Sequence, residues 1–277
     1  MSTEQPRPSF FTRHRTAILV TAAVLFLPPL AALFQLTGDH DFCGTWCPRM
    51  FFVWRQGTTL SAFFAGWGRA FAGVLLVVGV LATTLWLGRF WCSHLCPVGG
   101  GLELGSRLVP RRLRVDLSRI PAAPFRYGFL LVFMVVPALG LGSLCCNYCN
   151  FAALPRLVGA PFSQADLSYF LRVQGGINLG LLVGLGLLAK GGRAYCNLLC
   201  PIGALDALVS RLGQRSRRRM RIDPDRCVDC GDCVGACPTW AIAAHSKPAI
   251  DQLSCMPCGL CEKVCQVGAI SYGKPNP

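Results

Sequence analysis

The sequence predicts an α-helical membrane protein with four transmembrane helices in two pseudo-symmetric halves, followed by a small α+β domain. Hydrophobic residues make up 53% of the 277 residues and charged residues only 14%, a balance that is unusual for a soluble chain. Four apolar segments lack Asp, Glu, Lys and Arg altogether. The 17 cysteines fall mostly in C-x2-C and C-x3-C groups, a pattern typical of metal or redox ligands.

The four apolar segments have lengths close to the thickness of a bilayer. They cover residues 16–36, 70–88, 127–146 and 173–189, which is 21, 19, 20 and 17 residues. A hydrocarbon core of about 30 Å needs about 20 helical residues, so the first three fit and the fourth is marginal. We therefore divide the chain into a tail (1–15), a membrane domain (16–221) and a C-terminal domain (222–277).

Basic residues between the spans predict the orientation. The tail and the segments 89–126 and 190–221 together carry 18 Lys or Arg, whereas the other two loops carry five. The positive-inside rule places both termini in the cytoplasm of a bacterial inner membrane protein. The net charge of +14 is then a topology signal, which argues against nucleic-acid binding.

The cysteines reveal an internal repeat. Each half contains an outer C-x3-C pair and, 49 or 51 residues later, an inner C-x3-C pair. The outer pairs are Cys43 with Cys47 and Cys145 with Cys149; the inner pairs are Cys92 with Cys96 and Cys196 with Cys200. Two halves in the same orientation should pack about an axis along the membrane normal and gather four cysteines at each face. The outer loops 50–68 and 151–172 suit helices that lie along the interface.

The strongest motif lies near the C terminus. It reads Cys227-x2-Cys230-x2-Cys233-x3-Cys237-Pro238, followed by Cys255-x2-Cys258-x2-Cys261-x3-Cys265. This motif resembles the bacterial two-[4Fe-4S] ferredoxin domain, in which the last cysteine of each run ligates the other cluster. The resemblance implies iron ligands Cys227, Cys230, Cys233 and Cys265 for cluster one, and Cys237, Cys255, Cys258 and Cys261 for cluster two. Two zinc ribbons are the alternative, although they favour C-x2-C knuckles further apart.

The inner pairs lie in the similar segments 90–99 and 194–203, and a proline follows each second cysteine. Cysteines at i and i+4 share a helix face, and the proline stops or kinks the helix. Two such faces could form a four-thiolate site at the cytoplasmic face from Cys92, Cys96, Cys196 and Cys200. Reduced thiols without metal are the alternative. With the four spans and the ferredoxin-like domain, these motifs resemble the NapH/MauN ferredoxin-type membrane proteins, which are related to the NosR type.

The resemblance covers nearly the whole chain and implies electron transfer. It implies two [4Fe-4S] clusters that relay electrons between membrane quinone or the cytoplasmic module and a periplasmic ferredoxin, cytochrome or reductase in a membrane complex. Such a protein would be a quinol dehydrogenase component without independent substrate chemistry, and no catalytic residue can be named. The rival interpretation is an assembly or copper-handling protein that matures a periplasmic metalloenzyme, because thiolates suit Cu(I) as well as iron–sulfur clusters.

The outer cysteines are additional to the family's cytoplasmic motifs. Four of them could hold a metal or cluster at the periplasmic face, with a fifth spare or alternative, or could form disulfides in that oxidising compartment. They are Cys43, Cys47, Cys145 and Cys149, with Cys146 as the spare. His40 and His94 lie beside an outer and an inner motif respectively and are candidates for extra ligands or for proton acceptors from quinol. His40 also lies between Asp39 and Asp41, where protons of an oxidised quinol could leave.

Overall fold

The computed structural model describes residues 10–45, 51, 54, 57–141, 149–212, 219–243 and 248–273. The described part is mainly helical. Its helices are α1 (Phe10–Thr45), α2 (Leu60–Arg69), α3 (Phe71–Leu87), α4 (Pro97–Leu108), α5 (Ala122–Ala138), α6 (Asn150–Gly159), α7 (Gln164–Leu171), α8 (Val173–Leu181), α9 (Ala194–Leu198), α10 (Pro201–Leu212), α11 (Asp232–Ala236) and α12 (Leu260–Val264). The strands are β1 (Arg219–Ile222), β2 (Ile242–Ala243), β3 (Ala249–Ile250) and β4 (Ile270–Gly273). There are also two π-helical segments, Trp91–Leu95 and Leu182–Leu187, and a 3-10 turn, Arg111–Leu113.

Each apolar segment of the sequence overlaps a helix. Helix α1 contains residues 16–36, α3 nearly coincides with 70–88, and α5 covers the first part of 127–146. Helix α8 and the π-helical segment after it cover most of 173–189. Large apolar side chains are exposed along these helices, as expected of surfaces that face lipid.

Helix length by itself gives fewer membrane crossings than the four apolar segments of the sequence suggest. Among the described residues, one helix (Phe10–Leu27) is long and apolar enough to cross a membrane, or up to three spans exist if each bent helix pair counts as one. Helix α5 is apolar but has 17 residues, about 26 Å of helix against a core of about 30 Å. The prediction of a helical fold with a ferredoxin-like domain is confirmed, whereas four transmembrane helices are not confirmed.

Two short helices turn sharply into the apolar helices that follow them. The axis bends by 92° between Leu60–Gly68 and Phe71–Leu87, and by 88° between Gln164–Leu171 and Val173–Leu187. Thr59 and Ser163 cap the starts of the two short helices with their side-chain hydroxyls. The geometry suits helices along the interface, and it suits a broken or re-entrant span equally.

Near the inner cysteines, each half packs one of its helices against the other half. Helix α4 follows the first inner pair and packs against Leu182–Leu187 of the second half, while α10 follows the second pair and packs against α3 of the first half. Gly186 makes room for this packing, because a Cβ there would lie 2.5 Å from a methyl carbon of fully buried Leu102. Reciprocal packing of this kind is what the internal repeat leads us to expect.

The C-terminal module consists of two antiparallel two-stranded sheets and two short helices. Strand β1 pairs with β4, so that Ile222 lies opposite Ile270, and β2 pairs with β3. Its core contains both cysteines and apolar side chains, namely Met220, Cys233, Ile242, Cys261 and Ile270. Strand β1 begins at Arg219, three residues before the boundary at 222 that the sequence pattern suggests.

Candidate functional site

Four cysteines of the module line one cavity. They are Cys227, Cys230, Cys233 and Cys265, the set expected for cluster one. Apolar side chains that include Ile222 and Ile270 form part of the remaining wall, and Cys230 is solvent-exposed. The loop that carries the first three cysteines turns through left-handed residues, Asp229 at φ 56° and Gly231 at φ 80°. This tight turn brings three thiols to one side of the cavity.

The other four cysteines of the module form a second group, close to the helices of the membrane domain. Cys255 lies within electrostatic range of Cys258, Cys261 and Cys237. Burial, and then the charges of these neighbours, raise the pKa of Cys255 well above its usual value. Burial also raises the pKa of Cys258 and of Cys261, so these three side chains are neutral thiols unless a metal centre replaces their protons. The four cysteines are the set expected for cluster two.

The two groups are related by a local two-fold pattern. Helices α11 and α12 each begin after a left-handed glycine. The cysteine after each helix accepts a hydrogen bond from an amide four residues further on, from Ala241 to Cys237 Sγ at 3.3 Å and from Ala269 to Cys265 Sγ at 3.2 Å. Hydrogen bonds to the sulfur ligands are one of the factors that set the potential of an iron–sulfur cluster.

The donor set of the module fits iron–sulfur clusters. Every predicted ligand is a cysteine, and the first group surrounds a cavity rather than a point. A zinc ribbon needs four ligands around one ion, whereas a cubane accepts one thiolate on each of its four irons.

The four inner cysteines lie together between the two halves. Cys92 belongs to the π-helical segment after α3, and Cys196 belongs to α9. Cys96 and Cys200 pack against the same buried apolar side chains. A Cβ at Gly99 would lie 3.2 Å from Cys196 Sγ, and Arg193 donates to the backbone oxygen of Cys92 at 2.7 Å. The structure therefore gathers two cysteines from each half into one group, which is the set that the sequence suggested for the cytoplasmic face.

The inner pairs do not lie on one continuous helix. Cys96 is extended, with ψ 113°, and Pro97 begins α4. Cys200 likewise falls between α9 and Pro201, the first residue of α10. Proline disfavours the helical conformation of the residue before it, so the second cysteine of each pair sits at a break between two helices. The predicted helix stop at proline is confirmed, but the shared helical face is replaced by a helix–break–helix turn.

Buried ion pairs next to the inner cysteines are not apparent from the sequence motifs. Arg193 Nε lies 2.9 Å from Glu103 Oε2, and Arg15 donates to both oxygens of Glu103 at 2.5 and 2.6 Å. Burial alone would raise the pKa of Glu103, but the hydrogen bonds and charges of the two guanidinium groups lower this pKa to about 2. A second pair joins Arg89 Nε to Asp206 Oδ2 at 3.3 Å. In the sequence, these ion pairs are signalled only by an arginine three residues before each inner pair, Arg89 and Arg193.

The module docks onto this charged face with its second cysteine group inward. Arg89 Nη1 and Arg126 Nη1 both donate to the backbone oxygen of Leu253, at 3.0 and 2.7 Å. Asn197 Nδ2 donates to the backbone oxygen of Thr239 at 2.9 Å. These bonds flank the cluster two cysteines, so the predicted cluster two lies beside the inner cysteines and the predicted cluster one faces solvent.

His94 is buried beside the inner cysteines. Its Nδ1 lies 2.6 Å from Ser93 Oγ, and its ring stacks on Phe90 with 4.5 Å between centroids. Burial and the charge of Arg15 lower the pKa of His94 to about 4, so the imidazole is neutral. A role as an extra ligand or a proton acceptor stays a prediction, and the side chains of His40, Asp39 and Asp41 lie outside the described part of the chain.

The outer cysteines are described only in part. Cys43 belongs to the last turn of α1, but its side chain lies outside the described part, as do Cys47, Cys145 and Cys146. Cys149 precedes the first residue of α6 with extended backbone. The outer site, whether a metal or cluster site or a pair of disulfides, therefore stays a prediction.

Three iron–sulfur domain families match the chain. A 4Fe-4S binding domain matches residues 69–116, which include the first inner cysteine pair. Two 4Fe-4S dicluster domains match residues 192–241 and 219–266, and the second of these matches nearly coincides with the C-terminal module.

Known proteins with similar sequences include ferredoxin-type proteins and one named as an electron transport protein, YccM. The methylamine utilization ferredoxin-type protein MauN of Paracoccus denitrificans is 32% identical over 184 residues, 65% of this chain and 59% of the relative. YccM of Escherichia coli is 31% identical over 61% of this chain and 46% of the relative. The ferredoxin-type protein NapH of Escherichia coli is 29% identical over 60% of this chain and 54% of the relative. The chain spans about half the length of these relatives, and no solved structure matches it significantly.

Proposed function

Because the chain is a NapH/MauN-type ferredoxin protein of the iron–sulfur electron transport class, we propose that it is a membrane-bound electron relay. It passes electrons between the quinone pool or its own cytoplasmic module and a periplasmic redox partner. The observation that carries this proposal is the docking of the second cysteine group of the module against the inner face of the membrane domain. An electron carrier needs such a contact, because its redox centres must lie in sequence between two partners.

Two groups of cysteines would hold the clusters. Cluster one takes Cys227, Cys230, Cys233 and Cys265; cluster two takes Cys237, Cys255, Cys258 and Cys261. When bound, each [4Fe-4S] cluster supplies one-electron chemistry. The protein itself contributes the cavity, the amide donors to sulfur and the apolar wall that excludes water.

The position of the module gives the relay a solvent end and a membrane end. Exposed Cys230 marks the end at which a soluble cytoplasmic partner can exchange electrons with cluster one. Buried Cys258 marks the end at which cluster two meets the membrane domain. Electrons can follow this order in either direction, depending on the potentials of the partners.

Four membrane crossings with both termini in the cytoplasm complete the proposal. The distribution of basic residues and the four apolar helices support this topology. A hydrocarbon core of about 30 Å is too thick for one electron-transfer step between its faces. Membrane quinone is therefore proposed as the carrier that connects the module to the periplasmic side.

The partner on the periplasmic side is proposed to be a ferredoxin, cytochrome or reductase in the same membrane complex. The names of MauN and NapH describe ferredoxin-type proteins, which supports an electron-transfer partner of this kind. The chain is then a component of a quinol dehydrogenase, without a substrate site of its own.

The test uses full-length protein purified without oxygen. Iron, acid-labile sulfide, zinc and copper are measured per chain, and reduced clusters are detected by electron paramagnetic resonance. We expect at least about eight irons per chain, because each cubane contains four. Cys230→Ser should remove the signal of cluster one and Cys258→Ser that of cluster two, while each variant keeps the other signal.

The same preparation tests the connection to quinone. In proteoliposomes, the reduced clusters should be reoxidised by a short-chain quinone, or the oxidised clusters reduced by the corresponding quinol. Zinc in place of iron and sulfide would contradict the iron–sulfur assignment. Intact clusters that exchange no electrons with quinone or quinol would contradict the relay to the quinone pool.

A further inference from the structure

The four inner cysteines form a thiol cluster that the two clusters of the module do not use. They are Cys92, Cys96, Cys196 and Cys200, and none of the four is in a disulfide. Cys96 and Cys200 pack against the same group of buried apolar side chains, which includes Leu102 and Leu182.

Two buried arginines stand at equivalent positions of the two halves. Arg89 and Arg193 each lie three residues before the first cysteine of an inner pair. Each pairs with a carboxylate of the opposite half, Arg89 with Asp206 and Arg193 with Glu103. Arg193 Nη1 also donates to the backbone oxygen of Cys92 at 2.7 Å. Equivalent placement in both halves indicates a common role for the two guanidinium groups.

The guanidinium of Arg193 has a donor to spare beside the thiols. Its Nη2 is buried and finds no hydrogen-bond partner among the described residues, and its charge acts on both Cys196 and Cys96. Gly99 permits this contact, because a Cβ there would overlap the guanidinium and lie 3.2 Å from Cys196 Sγ. A buried donor without an acceptor is costly, so an anionic group next to the thiols would satisfy it.

We propose that the four inner cysteines ligate a third [4Fe-4S] cluster and that Arg89 and Arg193 are positioning residues that balance its negative charge. The inference rests on the proposed function, since a relay into the membrane needs a centre at this place. A cubane with four thiolate ligands is an anion whose sulfurs accept hydrogen bonds. The thiol protons leave to solvent as the thiolates bind iron.

Arg89 connects this site to the module. Its charge acts on Cys92 of the inner group and on Cys255 of the cluster two group. Its Nη1 donates to the backbone oxygen of Leu253 at 3.0 Å. Arg89 therefore lies between the two groups, and the third cluster follows cluster two on the path from the cytoplasm to the membrane.

The test of the ligands compares full-length protein with the double variant Cys96→Ser/Cys196→Ser, which removes one ligand from each half. We expect about twelve irons per chain in the original protein and about eight in the double variant, with both module signals unchanged. Ser168→Ala makes a change of similar size outside every cysteine group and should keep about twelve. About eight irons in both the original protein and the double variant, with intact module signals, would overturn the third cluster and leave the proposed function standing.

The test of the arginines is a redox titration of the third signal. Arg193→Gln should lower its midpoint potential, because a positive charge that favours the more negative reduced state is lost. Arg193→Lys keeps the charge and should shift the potential less. Arg107→Gln is the matched control, since Arg107 also pairs with Glu103 but is 40% exposed. Arg89→Gln repeats the measurement from the other half if Arg193→Gln does not accumulate.

The remaining outcomes separate the two proposals. A third signal whose potential is the same in Arg193→Gln, Arg89→Gln and the original protein would overturn the role of the arginines. If the original protein contains no iron or sulfide and gives no cluster signal, the proposed function is overturned. A third signal that vanishes in the double cysteine variant and moves in Arg193→Gln would support the inference.

Discussion

Glu103 is the residue on which the charged inner face depends. It accepts hydrogen bonds from buried Arg15 and Arg193 and from the more exposed Arg107. Removal of one member of a buried ion pair leaves an uncompensated charge in a medium that solvates it poorly. In the sequence, Glu103 resembles a surface glutamate of an amphipathic helix, so its role follows from its partners and not from its neighbours along the chain.

Glu103→Gln should therefore destabilise the protein strongly. We expect a loss of about 3–5 kcal/mol in the free energy of unfolding, the usual cost of breaking a buried pair. Asp116→Asn is the matched control, because Asp116 pairs with Lys190 at 3.0 Å with both side chains about half exposed. Exposed pairs contribute about 0–1 kcal/mol. Thermal unfolding in detergent measures both variants, and equal losses would contradict the structural role of Glu103.

The low pKa of Glu103 also predicts a pH dependence. This pKa falls from its ordinary 4.5 to about 2 in the folded protein, so folding favours the ionised carboxylate. The stability that the ionised group adds is complete above pH 4.5 and decreases as the pH falls toward 2. The difference in unfolding temperature between the original protein and Glu103→Gln should be constant from pH 8 to 5 and shrink below about 4.5. A difference that changes between pH 6 and 8 would mean that another group is responsible.

Among the elements, the turn after the last apolar helix lies directly against the module. Gly191 has φ +84°, and a Cβ at this position would lie 2.7 Å from Pro238 Cα and 2.9 Å from its oxygen. Pro238 directly follows Cys237, a predicted ligand of cluster two. The turn therefore needs glycine for two reasons, the left-handed backbone and the close approach of the module.

Gly191→Ala should loosen the module from the membrane domain. The left-handed backbone costs a residue with a Cβ about 1–2 kcal/mol, and the overlap with Pro238 adds to this cost. Gly57→Ala is the matched control, because Gly57 has φ +75° with nothing within 4 Å of a Cβ. Amide hydrogen exchange around Thr239 should accelerate only in Gly191→Ala. Equal exchange rates in the two variants would show that this contact does not hold the module.

The inner cysteine turns show how far local patterns determine an element. Both prolines stop a helix as the sequence predicts, because proline lacks an amide hydrogen and restricts the residue before it. The π-helical turn at Trp91–Leu95 was not predicted, since its widened geometry has no clear sequence signature. Likewise, the sequence signals the starts of the two short helices through their capping residues. The 88° and 92° bends at the other ends of these helices depend on packing.

For the whole molecule, the membrane topology depends on whether helix α5 crosses the bilayer. Like α3, helix α5 has only 17 residues, and a hydrocarbon core of about 30 Å needs about 20. Its crossing decides whether the second half has the same orientation as the first. We expect equal orientations, because the internal repeat predicts two halves related by an axis along the membrane normal, which would enter the bilayer from the same side.

Reporter fusions test this topology. Alkaline phosphatase, which is active only outside the cytoplasm, should be active when fused after Gly57 or Ser163. It should be inactive after Ser118 or at the C terminus. The reason is that the basic segments around Ser118 stay in the cytoplasm under the positive-inside rule. An inactive fusion after Ser163 would show that α5 does not cross, and an active fusion after Ser118 would reverse the assignment.

The sequence by itself determined the class of protein and the grouping of its cysteines. The length of an apolar segment indicates whether its helix lies in lipid. The spacing of the cysteines indicates a cluster whose first three thiolates come from one tight loop. Both are local properties, so a short stretch of chain contains them. The NapH/MauN resemblance rests on the same local motifs, and the comparisons confirm it.

Only the tertiary structure decided how these parts meet. Arg193 and Glu103 are 90 residues apart in the chain, Arg89 and Asp206 are 117 apart, and Asn197 bonds to Thr239 across the junction with the module. No local pattern predicts such pairs, because each partner alone has the sequence signature of an ordinary polar residue. Their partnership depends on the reciprocal contacts of helices between the halves and on the docked position of the module, and both result from packing over the whole chain.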